Sequence, residues 1–422
     1  MTDPSRAVRR RLWLALVLVA AFWFMAFALW PSLYFLFGVK HYSSWFLDSF
    51  AILAANDALS LGRDIYTANA LDPFLRPHVY SHWWLHLRDL GLTREQNFAF
   101  GATLIGLFFA TAIATLRPRS LRELGWYLAL FCSPGVLLAT ERANNDLVVF
   151  LLLAPLVPCL LSRSAFLRFA VGLTLVTVAT GLKYYPAAAA LLLLHSPTPR
   201  EGRWRLVAAG TLFVALGFNL APDLARFSEL SPDPEGLLTF GAPRLLRAWG
   251  VPSSLAPAVA LGIVGSGGAF IATLRIFSGW RVSAGATQAW LQFLLGAVLL
   301  TGCFVVSMNF AYRWVFALWM APFLWRLVTD PAMPGATRWF GGVTAGLLLI
   351  ALWADTIAVN VLRYIYLGAP PEAVARGQAV YLMGEQPLLW ALFVCLSAFL
   401  ARFAFDHIRS LLAPARPRAA EV

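Results

Sequence analysis

Long apolar segments separated by short polar links run through most of this 422-residue chain, and they leave few folds open. A helix of about 20 apolar residues spans a bilayer, because its backbone hydrogen bonds are satisfied internally. Hydrophobic residues make up 60 % of the chain and charged residues 13 %, about half the share found in soluble domains. Too little polar sequence remains to cover a soluble protein of this size. The sequence therefore predicts an all-α polytopic membrane protein, folded as a single domain over 1–422.

Twelve apolar segments are candidate membrane passes, although two of them are short. Segments 169–182 and 185–194 fall below the length of a full span, and the sequence Lys183 to Pro186 divides them. Non-helical backbone at membrane depth needs protein or water around it, so we expect a broken helical hairpin beside a cavity. The twelve segments are 12–39, 98–116, 123–139, 147–161, 169–182, 185–194, 206–222, 255–277, 287–306, 311–328, 339–359 and 387–406.

The basic residues indicate the orientation of these passes. Arginines gather near both termini and in the short links, whereas the long segments 40–97 and 223–254 together hold eight basic and ten acidic residues. The positive-inside rule then places both termini in the cytoplasm and the two long segments outside. Apolar residues at helical spacing over 50–61 predict a helix at the membrane surface within the first of them.

Composition also excludes several functions. The net charge is +12, but the basic residues lie in the short links between apolar segments and do not cluster on one soluble face. The charge therefore does not indicate nucleic acid as a partner. The four cysteines lie singly in apolar runs, without a Cys or His at metal-ligand spacing. No phosphate-binding glycine motif and no D-x-D pair occurs, so we expect no cofactor and no obligatory metal.

Ionisable residues beside apolar segments mark candidate sites, because each costs about 2.5–3.5 kcal/mol at the centre of a membrane. In the predicted topology, five such clusters share the outer face. Asp48 can act there as a general base, with Asp57 and Asp64 as alternatives, although a helix-end or loop charge is the plainer interpretation of each. The clusters are Asp48, E-R-A-N-N-D at 141–146, K-Y-Y at 183–185, N-F-A-Y-R-W at 309–314 and R-P-H-V-Y-S-H-W-W at 76–84.

The cations and their neighbours suggest a phosphate and a sugar as ligands. Arg142, Lys183 and Arg313 are predicted to bind the phosphate, since guanidinium and ammonium groups make charge-assisted hydrogen bonds to its oxygens. Turns, helix caps and interface anchoring are the alternative explanations for the same residues. The remaining predicted substrate contacts are Glu141, Asn145, Asp146, Tyr184, His78, Tyr80 and Tyr312.

The order of these motifs resembles a known family. Four features occur in this order: a first span, Asp48 followed by G-R-D-I-Y at 62–66, E-R-A-N-N-D at 141–146, and L-K-Y-Y-P at 182–186. Together they are similar to the bacterial polyprenyl-phosphate-mannose-dependent mannosyltransferases, which belong to the GT-C superfamily. The resemblance covers roughly 45–195. It departs at H-V-Y-S-H-W-W, 78–84, where many members carry a Y-x-Y-P-P-like stretch.

The resemblance implies a GT-C-like bundle of about twelve passes in the bacterial inner membrane, with helical extracytoplasmic loops and the active site on the outer side. It implies a polyprenyl-phosphate sugar donor, inverting transfer of a hexose with Asp48 as base, and a lipid or glycan acceptor. Membrane lipid is the remaining expected partner.

Two other classes of function stay open on the residues alone. A transporter or flippase would also carry broken helices and buried charges, although it usually has internal repeats, and none is visible here. A scaffold subunit of an envelope-polysaccharide complex is the third class, and it would not need Asp48.

Overall fold

The apolar segments fold as helices in the computed structural model of the chain, which describes residues 4–41, 45–230, 234, 236–280 and 282–412. Two-residue strands β1 (Thr239–Phe240) and β2 (Asn309–Phe310) pair antiparallel. The α-helices in the described ranges are α1 Pro4–Leu29, α2 Leu47–Ser60, α3 Asn97–Thr115, α4 Leu121–Phe131, α5 Pro134–Arg142, α6 Asp146–Leu153, α7 Leu156–Leu161, α8 Gly172–Leu182, α9 Pro199–Leu230, α10 Pro243–Ala248, α11 Ala256–Thr273, α12 Thr287–Val306, α13 Ala317–Thr329, α14 Gly335–Ile365 and α15 Pro371–Leu412. The 3₁₀ helices are Pro31–Phe37, His82–Leu90, Arg94–Gln96, Tyr185–Leu194, Arg275–Phe277, Ala284–Ala286 and Ala311–Phe316, and a π-helical turn covers Leu167–Val171.

Seven helical segments of the described chain are long and apolar enough to cross a membrane. The helices α4 and α5, bent by 51°, would form an eighth span if counted as one. The prediction of a helical, polytopic membrane protein is thus confirmed, while the count of twelve passes stays a prediction. The seven segments are Ala7–Leu29, Arg94–Thr115, Pro199–Phe227, Ala256–Thr273, Ala284–Val306, Gly335–Ile365 and Pro371–Arg409.

Burial separates central from peripheral helices. The most apolar window of Ala284–Val306 is 78 % buried within the protein, whereas that of Pro199–Phe227 is 22 % buried. Aromatic rings fill the centre, with Phe304 stacked on Phe393 at 4.0 Å between ring centroids. The chain therefore packs around α12, and α9 lies at the periphery.

The segments on either side of Lys183 lie as a hairpin with an ion pair at its open end, while the cavity predicted beside it stays a prediction. Helix α8 rises to Lys183, whose backbone is extended (φ −146°, ψ 125°), and the 3₁₀ helix Tyr185–Leu194 returns. Arg168, before the first arm, lies 3.0 Å from Glu201, after the second. Both arms therefore start and finish at the same end of the bundle, and protein surrounds Lys183, which is 8 % exposed.

Prolines shift several helix boundaries from the sequence prediction. Helix α1 ends at Leu29 although the apolar run continues to residue 39, because the residue before Pro31 is disfavoured in the α conformation. Conversely, α9 continues through Pro222 to Leu230 and α15 continues through Pro387. Part of the predicted second loop, 223–254, is therefore helical.

Candidate functional site

Five helix ends and one loop meet at one end of the bundle, and their polar side chains form a buried charged network. The network has two halves. One is built around Asp146 and the other around Asp48, and the side chain of Asn144 contacts both.

Asp146 is fully buried and is shared by two cations. It is the first residue of α6, and its carboxylate pairs with the ammonium of Lys183 and with Nε of Arg313 at 3.7 Å. The hydroxyl of Tyr185 donates to it at 2.8 Å. The ring of Tyr185 also lies 4.8 Å from the guanidinium of Arg313, and that of Tyr312 lies 5.5 Å from the Lys183 ammonium. These contacts hold two long cationic side chains in fixed positions.

Asp48, in the first turn of α2, faces two guanidinium groups. One carboxylate oxygen lies 3.5 Å from Nη1 of Arg76 and 3.6 Å from Nη1 of Arg142. The other oxygen accepts a hydrogen bond of 2.6 Å from the Asn144 amide. Nε of Arg142 lies 3.0 Å from the Glu141 carboxylate. Both Nη1 groups are farther from Asp48 than a good hydrogen bond allows, while Asp72 and Glu141 hold the other nitrogens of the two guanidiniums at 2.8 and 3.0 Å.

The turn between α5 and α6 explains how Asn144 reaches both halves. Ala143 ends α5 in the left-handed conformation, with φ of 41°. This reverses the chain, and the Asn144 side-chain oxygen then accepts from the backbone N–H of Asp146 at 2.8 Å. The same oxygen lies 3.5 Å from the Lys183 ammonium, while the amide nitrogen donates to Asp48.

Charge is distributed unequally between the two halves. Lys183 and Arg313 share a single carboxylate, so their half has one excess positive charge. Around Asp48, the two arginines are matched by three carboxylates. These are Asp48, Glu141 and Asp72, the last of which contacts Arg76 at 2.8 Å. An anion is therefore favoured beside Lys183 and Arg313, and a proton or cation beside Asp48.

The segment from Arg76 to Tyr80 forms one wall of the site. Burial opposes the charge of Arg76, but its contacts with Asp72 and Asp48 raise its pKa above the usual value. Burial, together with the nearby charge of Asp48, raises the pKa of Tyr80 well above that of a free phenol. Burial lowers the pKa of His78 to about 4. At neutral pH, Tyr80 is thus a neutral hydroxyl beside the network, and His78 is a neutral support behind it.

The remainder of that segment anchors the loop. The backbone N–H and ring of His82 bind the carboxylate of Asp223, at 3.0 and 2.6 Å. The Trp84 indole donates to the carbonyl of Leu182 at 3.1 Å, at the end of α8. These contacts fix the loop to the helix that carries Lys183.

Most predicted site residues meet in the network. Besides His78, which lies behind it, Tyr184 and Asn145 make no hydrogen bond or ion pair with it in the described chain. Tyr184 points to Phe227 of α9, with ring centroids 5.8 Å apart. Asn145 is buried, and no protein group in the described chain hydrogen-bonds to its side-chain oxygen or nitrogen. The alternative bases lie elsewhere. Asp57 binds Arg94, and Asp64 closes an exposed turn by accepting from Tyr66 and Thr67.

Sequence reasoning missed three members of the network. The sequence places Arg76 in an aromatic loop segment, indicates a turn at Asn144, and groups Tyr185 with Lys183 and Tyr184 at a helix break suited to a phosphate and a sugar ring, but it does not mark any of the three as a site residue. A signal existed for Arg76, because Asp72 lies four residues before it. No group of three or more His, Cys, Asp or Glu side chains within the described residues is arranged to hold a metal ion.

The fold and the site together define a polytopic helical membrane protein with a buried, preorganised charge network at one end of its bundle. No family model, curated protein or solved structure matches this chain.

Proposed function

We propose that the protein is an integral-membrane hexosyltransferase that uses a polyprenyl-phosphate sugar, with mannose as the expected hexose. The acceptor is a hydroxyl of an envelope lipid or glycan, at the outer face of the bacterial inner membrane, and the bundle is GT-C-like with about twelve passes. The observation that carries this proposal is a carboxylate, Asp48, held beside a half-site with excess positive charge at Lys183 and Arg313.

The reaction needs a proton acceptor and a stabilised leaving group. The acceptor hydroxyl attacks the anomeric carbon, and its proton passes to Asp48 as the new C–O bond forms. The bond between that carbon and the phosphate oxygen breaks, and its electron pair stays on polyprenyl phosphate. Because attack and departure occur on opposite faces of the carbon, the anomeric configuration inverts.

The phosphate is bound beside Asp146 rather than midway between Arg142 and Lys183. Lys183 and Arg313 provide fixed positive charge there, and cations placed in advance stabilise the charge that develops on a leaving phosphate. Arg142 lies 3.6 Å from Asp48 and can reach the phosphate from the other side. When it does so, the Asp48 oxygen that it faces keeps one guanidinium neighbour, Arg76 at 3.5 Å, instead of two, and can accept the proton.

Polar aromatic side chains contact the sugar. Tyr80 and Tyr312 both lie within about 6 Å of the Lys183 ammonium, at 6.0 and 5.5 Å from ring centroid to nitrogen. Their hydroxyls are neutral donors and their rings offer faces to a hexose. Glu141, held against Arg142, orients the guanidinium rather than the sugar.

A transporter or flippase is the alternative, and one observation favours it. Asp355 in α14 and Glu385 in α15 are buried carboxylates inside long apolar helices, where transporters often carry coupling groups.

The test is transfer in proteoliposomes, with a panel of polyprenyl-phosphate hexoses and mass spectrometry of the products. Asp48→Asn should lower turnover by about 10²- to 10⁴-fold while donor binding persists. Asp89→Asn is the matched control, because that carboxylate is exposed and belongs to the same loop. Labelled donor that crosses the bilayer with no glycosylated product would support the transporter instead.

The side of the membrane is tested separately by labelling with an impermeant maleimide. In a background without the four native cysteines, Leu90→Cys should react from outside and Leu121→Cys should not. Both side chains are exposed, at 74 % and 76 %, so access rather than burial decides the result. The reverse pattern would place Asp48 on the wrong side for a lipid-linked donor of the outer leaflet.

A further inference from the structure

A second polar cavity lies at the other end of the bundle. Its volume is about 880 Å³, which is enough for a phosphorylated headgroup. It lies between the link from α11 to α12 and the last turns of α15. Its polar and aromatic lining includes His195, Arg275, Trp280, Arg402, His407 and Arg409.

This cavity is separate from the Asp48 network. The 3₁₀ helix Tyr185–Leu194 begins at Tyr185, which hydrogen-bonds to Asp146, and it ends one residue before His195. Ten residues of 3₁₀ helix span about 20 Å. Helix α12 likewise starts at the cavity with Thr287 and ends at Val306, just before β2. The two sites therefore lie at opposite ends of the same helices, and a ligand at one cannot contact the other.

The cavity has a surplus of positive charge. Arg402 is matched by Asp406, at 3.0 Å. Within the described chain, neither Arg275 nor Arg409 lies within ion-pair distance of a carboxylate. Both are exposed residues of the cavity lining, so an incoming anion meets two guanidinium groups that no carboxylate of the described residues neutralises.

Two histidines form a polar wall beside these arginines. His407 Nδ1 lies 2.9 Å from the carbonyl of Phe403, so this nitrogen carries the proton and donates. The other ring nitrogen of His407 lies 3.4 Å from Nδ1 of His195. The backbone therefore orients the His407 ring, and both imidazoles belong to the cavity lining.

We propose that this cavity binds a phosphate group, carried by an anionic phospholipid of the leaflet opposite to the Asp48 site. A phosphate can accept hydrogen bonds from the guanidinium groups of Arg275 and Arg409, which both line the cavity. Basic pockets between helix ends at the membrane surface also suit lipid headgroups. The tryptophans Trp280 and Trp290, packed edge to face at 5.1 Å, are buried and form an aromatic part of the cavity wall. Soluble inorganic phosphate has the same chemistry, and the experiment below distinguishes it from the lipid.

The experiment follows thermal unfolding of the purified full-length chain in a neutral detergent. The protein is titrated with short-chain phosphatidylglycerol, with short-chain phosphatidylcholine and with inorganic phosphate. We expect saturable stabilisation by phosphatidylglycerol and much weaker stabilisation by the zwitterionic lipid. Stabilisation by inorganic phosphate at a similar concentration would support the phosphate site and assign its ligand to the soluble pool.

Paired variants locate the binding. Arg275→Gln with Arg409→Gln should weaken phosphatidylglycerol binding by roughly 30-fold, since each arginine near a membrane surface contributes about fivefold. Replacing both by Lys should retain most of the affinity. Arg122→Gln is the control, because Arg122 is exposed at the same end but lies outside the cavity. Equal affinity of the double Gln variant and the unmodified protein, or no stabilisation by either phosphate compound, would overturn the proposal.

Discussion

Two of the buried carboxylates of the network, Asp146 and Asp48, should respond differently to loss of charge. Asp146→Asn should mainly lower stability, whereas Asp48→Asn should mainly lower turnover. The difference follows from their partners. Asp146 is fully buried and is the carboxylate that Lys183 and Arg313 share, whereas each guanidinium that faces Asp48 also contacts a second carboxylate, Asp72 or Glu141.

The expected magnitudes separate the two variants clearly. Removing one partner of a buried ion pair costs about 3–5 kcal/mol, because a buried charge is left uncompensated. Asp146→Asn leaves two such charges, so its free energy of unfolding should fall by at least that amount. Asp48→Asn loses an ionic acceptor for one hydrogen bond from Asn144, which costs about 1–3 kcal/mol. Its turnover should nevertheless fall by about 10²- to 10⁴-fold, because the proton acceptor is gone.

The assay combines reversible unfolding in mixed detergent micelles with transfer in proteoliposomes. A double variant, Asp146→Asn with Lys183→Met, keeps the measurement interpretable if the single variant folds poorly. It removes one charge of each sign, so it should recover part of the lost stability, with a coupling energy of about 0.5–3 kcal/mol. Asp89→Asn should change neither quantity.

Two results would refute this reasoning. One is an Asp146→Asn variant as stable as the unmodified protein, because then the carboxylate does not hold the two cations. The other is an Asp48→Asn variant that loses stability and activity in the same proportion as Asp146→Asn, because then Asp48 is a structural ion-pair partner.

Three further predictions concern the scaffold around the site. Because burial lowers the pKa of His78 to about 4, the unfolded chain binds more protons than the folded protein between pH 6.5 and 4. The free energy of unfolding should therefore keep its full value above pH 6.5 and be about 3 kcal/mol lower at pH 4. A His78→Asn variant should lack this part of the acid dependence in unfolding measurements. Gly181→Ala should lower the free energy of unfolding by about 1–3 kcal/mol and raise KM for the donor, because a methyl group there would lie 2.2 Å from the Trp83 ring. Gly106→Ala is the control: its methyl group would have no neighbouring atom within 4 Å, so thermal stability and KM should change little. Ala143→Val should cost about 1–3 kcal/mol in the same unfolding assay because its φ is 41°, while Ala143→Gly should be tolerated; equal stability of the two would contradict strain at this turn.

The sequence predicted the meeting of the main charges because each lies at the end of an apolar segment. Segments that alternate in direction place every second helix end on the same side, so Asp48, Arg142, Lys183 and Arg313 could be assigned to one face from topology alone. The break at Lys183 was predictable as well, since Pro186 cannot continue the helix of α8.

The remaining members of the network could not be predicted, because no periodic pattern determines how a long loop folds back. Arg76 lies beside Asp48 because its guanidinium forms an ion pair with Asp72 and because His82 fixes the loop to Asp223. Asn144 was predictable as a turn residue but not as the bridge between the Asp48 carboxylate and the Lys183 ammonium. That role depends on the left-handed Ala143, which rotates the following residues toward α2.

The buried carboxylate Asp355 bears on the choice between a transferase and a transporter. Its oxygen accepts from the backbone N–H of Leu238 at 2.8 Å, and the Leu238 carbonyl accepts from Ala311 at 2.7 Å. Leu238 directly precedes β1, and β1 pairs with β2. The last residue of β2, Phe310, lies three positions before Arg313. A carboxylate in α14 thus fixes, through one pair of strands, the segment that places Arg313 beside Asp146. A group that carries a coupling ion must instead exchange its partners as access alternates between the two sides. The position of Asp355 therefore favours a fixed scaffold for the charge network, as transfer chemistry requires, over a moving transport path.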